Sequence, residues 1–99
     1  MVSDRGDNMQ VCLGKVVYSK AGRDAGKKFI IVDIVDDNNV LISDGNLRRI
    51  EKAKPKKIKH LVITDKVLMT LNEKLKCGIR VSNSEIRKAL QEIADMEYE

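Results

Sequence analysis

Two apolar runs flank a glycine-bracketed loop in the stretch that decides the fold, 14-GKVVYSKAGRDAGKKFIIVDIV-35. β-branched and aromatic residues fill the first run, and the two glycines that bracket an Arg-Asp pair indicate a loop. In the second run, residues 27–35, both the even-numbered and the odd-numbered positions are largely apolar. A strand that is apolar on both faces lies deep in a sheet or curls within a small barrel.

Turn signals divide the next residues into three further short strands. Asp36–Asn39 is a turn made of residues that bond to their own backbone, and Asp44-Gly45 is a strong hairpin signal. The three predicted strands cover residues 40–42, 47–53 and 58–63, with an interruption at Lys54-Pro55. About five short strands in all predict a mainly β domain, a half-open antiparallel barrel.

From residue 64 onward the apolar spacing becomes that of two short amphipathic helices. Thr64 or Asp65 is placed to cap the first helix, which runs to about Lys76 and stops at Gly78. The stretch 82-SNSE-85 is a capping box, in which a hydroxyl and a carboxylate three residues apart open the second helix. The predicted units are a flexible arm over 1–11, a barrel over 12–64, and a helical hairpin over 65–99 that packs on or beside the barrel.

Length and composition exclude several classes of protein. With 99 residues, 34% of them charged, the chain predicts one small domain and excludes a large multidomain enzyme. Its longest strictly apolar stretch has four residues, far short of the roughly 20 that cross a bilayer. The N-terminus does not resemble a secretory signal, and Cys12 and Cys77 are too isolated for a metal pair or a disulfide framework. We therefore expect a cytoplasmic protein without a membrane segment.

The net charge of +4 conceals a basic middle of the chain. Residues 14–59 contain twelve basic and six acidic side chains, whereas the flanking segments are each slightly acidic. Within the middle lies the 48–59 segment, in which Glu51 alone opposes seven cations. These cations are Arg48, Arg49, Lys52, Lys54, Lys56, Lys57 and Lys59. Along one rim of a barrel they predict salt-sensitive binding of nucleic acid, although lysine and proline on an edge strand also prevent aggregation.

The glycine loop, residues 22–26, is a second candidate for phosphate binding. Glycine accepts backbone angles that other residues avoid, and its missing side chain lets another backbone come close. Four cations flank the loop, namely Lys20, Arg23, Lys27 and Lys28. Backbone amides together with cations can follow a phosphate chain. A tight strand connection with incidental charge is the plainer interpretation.

The stretch over residues 14–34 resembles the KOW motif, and more narrowly the ribosomal large-subunit family numbered fourteen-e with its short bacterial KOW-domain relatives. The resemblance covers roughly residues 13–64, and the compact tail is most similar to that of the bacterial relatives. It implies an SH3-like barrel that binds ribosomal RNA through the loop, with Gly26 as the characteristic glycine of the motif and the loop cations as contacts to RNA. It also implies RNA binding by the late basic strands, which contain Arg48, Arg49, Lys57, Lys59 and His60.

No other set of residues indicates catalysis, a metal or a cofactor. His60 is the sole histidine, and without a second histidine or a spaced cysteine it predicts no metal site. Four carboxylates lie in or beside turns, where such groups ordinarily serve the turn and solubility. These are Asp33, Asp36, Asp37 and Asp44. We predict a protein that is not an enzyme and has no cofactor.

The combined observations predict a non-catalytic RNA-binding protein that associates with structured RNA of the large ribosomal subunit. An alternative is a protein-interaction module of the transcription or translation machinery, in which the helical hairpin contacts a ribosomal or transcription protein. A membrane partner is not expected, because the near-neutral helices lack the lysine-rich face of a membrane-surface helix. The predicted RNA contacts are Lys20, Gly22, Arg23, Gly26, Lys27, Lys28, Arg48, Arg49, Lys52, Lys54, Lys56, Lys57, Lys59 and His60.

Overall fold

Five strands are followed by two α-helices in the computed structural model, which describes residues 11–20, 22–23 and 25–97. The elements are β1 (Lys15–Ser19), β2 (Lys28–Ile34), β3 (Asn39–Ser43), β4 (Lys54–Lys57), β5 (Leu61–Val67), α1 (Met69–Lys76) and α2 (Asn83–Glu97). Short 3-10 turns precede β4 and β5, at Ile50–Lys52 and Ile58–His60. The order of strands and then helices is the one that the change of apolar period predicts.

All strand pairs are antiparallel, and the strands lie in the order β4-β3-β2-β1-β5. The two edge strands, β4 and β5, are joined by the 3-10 turn Ile58–His60. At its start the Ile58 N–H donates to the Asn38 carbonyl at 2.8 Å, and at its end the His60 carbonyl accepts from the Lys20 N–H at 2.9 Å. The described strands thus form a curled sheet that β4 and β5 do not close by pairing, which confirms the half-open barrel.

The interior of the barrel is an apolar core around one face of β2. Phe29 and Ile31 pack there with Val17 of β1 and Ile42 of β3, and all four side chains are fully buried. Val11, the last residue of the predicted arm, is also buried in this core. Residues 1–10 of that arm lie outside the described residues.

A second core lies on the opposite face of the sheet, because successive residues of a strand alternate between faces. Val16 and Ile30 are fully buried on that face, where Leu71 of α1 and Ile86 and Leu90 of α2 cover them. Burying each such side chain contributes roughly 1.5–3 kcal/mol. The apolar stripes of the two helices are therefore used within the molecule, against the sheet.

The first helix starts later than Thr64 or Asp65, the two predicted caps. Strand β5 continues to Val67, which pairs with Lys15 of β1. The Thr64 hydroxyl donates to the Val16 carbonyl at 2.7 Å, so its oxygen serves the sheet rather than a helix N-terminus. The prediction was wrong because pairing with β1, which lies some 50 residues earlier in the chain, overrides the local helical spacing.

The fourth strand lies at Lys54–Lys57, not at the predicted 47–53. The Ile50 N–H donates to Asn83 Oδ1 at 2.8 Å, so contact with the start of α2 holds this stretch in a 3-10 turn outside the sheet. The predicted break at Lys54-Pro55 is instead part of β4. Proline is tolerated there because β4 is an edge strand, where one row of N–H groups faces away from the sheet.

Local signals at the helix ends are confirmed. The Ser82 hydroxyl accepts from the Glu85 N–H at 3.1 Å, and the Glu85 carboxylate accepts from the Ser82 N–H at 3.2 Å. Gly78, at φ +75°, follows the end of α1. Lys74 of α1 donates to Glu85 at 2.6 Å, and this contact, followed by the Ser82 N–H, lowers the pKa of Glu85.

The pKa of Glu85 makes stability depend on pH. Because it is lower in the folded chain than its ordinary value of 4.5, the ionised carboxylate stabilises the fold above that value, and the contribution is lost as the pH falls through the folded pKa. We expect Glu85→Gln to flatten the fall in urea midpoint between about pH 5 and pH 3. Glu73→Gln, which removes an exposed charge of α1 outside the capping box, should keep the wild-type slope. Identical slopes for Glu85→Gln and the wild type would contradict this role.

Gly45 is held against the start of α2 in a backbone conformation that other residues avoid. Its φ is +75°, and an added Cβ would meet the Asn83 carbonyl oxygen and the Ile86 side chain. We expect Gly45→Ala to lower the free energy of unfolding by about 3 kcal/mol, from strain and overpacking together. Gly22→Ala is the matched control, since Gly22 has φ +79° and open space around it, and should cost only about 1–2 kcal/mol. Equal losses in urea denaturation would show that the contact with α2 does not matter.

Candidate nucleic-acid interface

The glycine loop is the connection of the β1–β2 hairpin. Gly22 and Gly26 have φ of +79° and +81°, and an added Cβ at either position would meet nothing within 4 Å. The Gly26 N–H donates to the Ser19 carbonyl at 2.8 Å, which closes the hairpin. Both glycines and Arg23 are exposed. The space around Gly22 and Gly26 is therefore open, and a second backbone can approach the loop at these two positions.

Lys20 ties the glycine loop to the turn between β4 and β5. Its ammonium donates to the Lys59 carbonyl at 3.3 Å, and its N–H donates to the His60 carbonyl. All three side chains belong to exposed residues. We call these three residues, together with the glycine loop, the loop corner. It brings cations from positions about 40 residues apart in the chain to one place.

The lysines of β4 do not form the single rim that the sequence predicts. Lys54 and Lys56 pair with Ile42 and Val40 in register, so they share the face that carries the barrel interior. Lys57, one position further, lies on the other face and is exposed. The period of two in a strand divides these charges, whereas counting along the sequence groups them.

The arginines of the 48–59 segment have partners in the fold. Arg49 Nε lies 3.2 Å from Glu51 Oε2. The carboxylate also accepts from Asn83 Nδ2 at 2.9 Å, and the Asn83 bond, the Glu51 N–H and Arg49 together lower the pKa of Glu51. Arg48 is half-buried, and its carbonyl accepts from the Ser43 hydroxyl at 2.6 Å. The positive charge of Arg49 is thus opposed nearby.

Lys52 is the last residue of the 3-10 turn Ile50–Lys52 and is exposed. Among the described residues the ion pairs are Arg49–Glu51 and Lys74–Glu85, so none involves Lys52 or the cations of the loop corner. A cation without a nearby carboxylate attracts phosphate more strongly than one that is already paired. The loop corner is therefore the stronger cationic feature of the described surface.

A groove of about 650 Å³ runs beside the loop corner. Its lining joins β1 and the end of the glycine loop to the turn after β3 and to helix α2. The lining residues are Tyr18, Gly26, Lys27, Lys28, Asp44, Asn46, Leu47, Arg87, Leu90 and Gln91. Asn46, Arg87 and Gln91 line the groove but are not among the contacts predicted from the sequence. The 87/91 spacing places both side chains on one helix face, but only the packing of α2 brings that face to the loop.

Carboxylates in the turns accept hydrogen bonds from backbone N–H groups. Asp36 Oδ1 accepts from the N–H groups of Asn38 and Asn39, both at 2.8 Å. These bonds, led by that of Asn38, lower the pKa of Asp36. Over residues 11–20, 22–23 and 25–97 no group of three or more His, Cys, Asp or Glu side chains is placed to hold a metal ion. No helix in that part of the chain is long and apolar enough to cross a membrane.

The curled five-stranded sheet, the bare glycine hairpin and the cations beside it are consistent with a KOW-type, SH3-like domain of the RNA-binding class. The chain is 37% identical over 86 residues to large ribosomal subunit protein eL14 of Desulfurococcus amylolyticus, a match that covers 87% of this chain and 82% of the relative. The proteins of the same name from Pyrobaculum arsenaticum and Saccharolobus islandicus are 35% identical over 86 residues, with 77% and 82% of their lengths covered. No family model matches the chain. The chain belongs to the eL14 family of large ribosomal subunit proteins.

These matches correct the expected resemblance in two respects, the part of the chain that it covers and the kind of relative that it favours. A match over 87% of the chain extends well beyond residues 13–64 and takes in part of the helical tail. The relatives are archaeal, so the expected closeness to short bacterial relatives finds no support in them. The tail is therefore part of what this chain shares with its family.

Asp44 lines the groove, and substitutions can separate the hydrogen-bond acceptor of its side chain from its negative charge. Its Oδ1 accepts from the N–H groups of Asn46 and Arg48, both at 2.9 Å, and so holds the turn after β3. We expect Asp44→Ala to lower the free energy of unfolding by about 1 kcal/mol. Asp44→Asn keeps an acceptor oxygen and should stay close to the wild type in urea denaturation. Equal destabilisation by the two substitutions would show that the charge, not the acceptor, holds the turn.

Proposed function

We propose that this chain is a non-catalytic protein of the large ribosomal subunit, working in the cytoplasm, that binds ribosomal RNA through the loop corner. The proposal depends on family membership together with the geometry of the loop corner. Relatives of the chain are named as large ribosomal subunit proteins. In the structure, the exposed cations of the loop corner lie beside a hairpin loop whose glycines have open space around them.

RNA binding at the loop corner follows from two properties of phosphate. Each neutralised phosphate releases counterions, which favours cations that have no ion-pair partner among the described residues, as at Lys20 and Lys59. A phosphodiester backbone also needs room to approach backbone N–H groups, which Gly22 and Gly26 provide. Recognition then depends mainly on phosphate positions and RNA shape, since structured RNA hides its base edges in a deep groove.

The other predicted contacts take graded roles in this proposal. Arg23, Lys27 and Lys28 lie in or next to the loop and contact phosphate directly, as do Lys57 and His60 near the turn before β5. The remaining cations, Arg48, Arg49, Lys52, Lys54 and Lys56, contribute mainly long-range attraction. Partial burial of Arg48, Lys54 and Lys56 and the pairing of Arg49 with Glu51 support this lesser role. Lys52 is exposed and is placed in this group only because it lies outside the loop corner.

The alternative, a protein-interaction module, is not favoured. It depends on a helical hairpin whose apolar side is available to a partner protein, but Leu71, Ile86 and Leu90 are spent on covering Val16 and Ile30. A non-catalytic role is supported by the family, whose members are named as ribosomal proteins. We therefore propose binding alone as the function.

Salt dependence tests the loop corner. We expect the chain to bind purified large-subunit ribosomal RNA with an affinity that falls steeply between about 50 and 200 mM salt. Lys27→Gln combined with Lys59→Gln should reduce the slope of log K against log salt by roughly 1.5, because each lost phosphate contact removes about 0.7–0.9. Filter binding across a salt series measures both quantities.

The matched control removes the same charge from the helices. Lys76→Gln combined with Lys88→Gln lowers the net charge equally but at exposed positions of α1 and α2, and should leave the slope near that of the wild type. Equal changes in the two double variants would place the contacts elsewhere. Absence of salt-sensitive binding by the wild-type chain would refute the proposed function itself.

A further inference from the structure

The groove beside the loop corner occupies the part of the outer sheet face that the helices leave uncovered. Val16 and Ile30 are partners in register and lie under α2, whereas Tyr18 and Lys28, the next pair on the same face, line the groove. The groove therefore begins where the second core ends. Its far side is the turn after β3, so three separate parts of the chain enclose it.

The walls of the groove are held in place by the fold. Arg87 Nη1 donates to the Gly45 carbonyl at 2.8 Å, which ties α2 to the turn after β3. Asp44 fixes the same turn through two backbone N–H groups, and Gly45 packs against Asn83 and Ile86. A site that is formed before its ligand arrives does not spend binding energy on ordering itself.

The chemistry of the lining matches the parts of one nucleotide. Among the described lining residues, Lys27, Lys28 and Arg87 offer positive charge against one carboxylate, that of Asp44, which already accepts from backbone N–H groups. Leu47 is 59% exposed and Tyr18 is half-buried, so an apolar side chain and the accessible part of an aromatic one line the groove. The volume of about 650 Å³ is within the roughly 300–1,000 Å³ that small-ligand sites occupy.

We propose that this groove receives one unpaired nucleotide of the bound RNA, with its base against Tyr18 and Leu47 and its phosphate at Lys27, Lys28 and Arg87. The inference rests on the proposed function, because Gly26 of the glycine loop and Lys27, which follows the loop, also line the groove. Unpaired bases are the parts of RNA that proteins read by stacking on aromatic side chains. The amides of Asn46 and Gln91 are at hand for the edge of the base.

The test compares two RNA probes that differ in one nucleotide. One is a fully paired RNA stem, and the other is a pool of the same stem with a single bulged A, C, G or U. We expect the full-length chain to bind the bulged pool roughly tenfold more tightly than the paired stem, which is within the range that stacking of one base provides. The ratio of the two affinities, measured by fluorescence anisotropy at one salt concentration, is called the bulge preference.

Variants assign the preference to the groove. Tyr18→Leu and the surface change Leu47→Ser should each remove most of the bulge preference while leaving affinity for the paired stem within about twofold of the wild type. Tyr18→Phe keeps the ring and should keep the preference. Arg87→Gln should lower it, whereas Lys88→Gln, which removes a charge from the neighbouring position of α2, should not.

The outcomes separate this inference from the proposed function. Steep salt-dependent binding of ribosomal RNA with no bulge preference would overturn the groove as a nucleotide site and leave the proposed function intact. A preference that survives both Tyr18→Leu and Leu47→Ser would overturn it as well. Failure of the wild-type chain to bind ribosomal RNA at all would refute the proposed function, and the inference with it.

Discussion

Phe29, Ile30 and Ile31 are all fully buried, although successive residues of a strand face opposite sides of a sheet. Strand β2 must therefore be covered twice. Curling of the sheet covers Phe29 and Ile31, and the helices cover Ile30. The helical tail is thus required by the strand that it covers.

The double cover also determines where the molecule is open. On the outer face of the sheet, the described helix side chains cover the pair Val16 and Ile30 but not the next pair toward the glycine loop, Tyr18 and Lys28. Beyond that point the described residues of the sheet face line the groove, next to the exposed glycines and cations of the loop corner. Packing and the proposed binding therefore share one sheet face, since apolar residues occupy its covered part and polar, cationic and aromatic ones line the groove.

Basic residues in this chain serve two purposes, and their location separates them. Lys54, Pro55 and Lys56 on β4 discourage pairing of a sheet edge with another chain, which is a common use of lysine and proline. Lys20 and Lys59 meet at the loop corner, where they have no carboxylate partner among the described residues. The two interpretations of the basic residues therefore apply to different parts of the surface, and RNA binding at the loop corner stays a prediction.

Local chemistry explains what was predictable from the sequence alone. The strand β2, the capping box at Ser82 and Glu85, and the glycine hairpin each depend on residues within a few positions of one another, and the sequence determined them. Thr64 and Ile50 were misassigned because their decisive partners, Val16 and Asn83, lie more than 30 residues away. The groove has the same origin, since Arg87 reaches the turn after β3 only when α2 packs on the sheet. Tertiary structure alone decided these features, because burial of a distant apolar face can exceed the small free-energy differences that local spacing expresses.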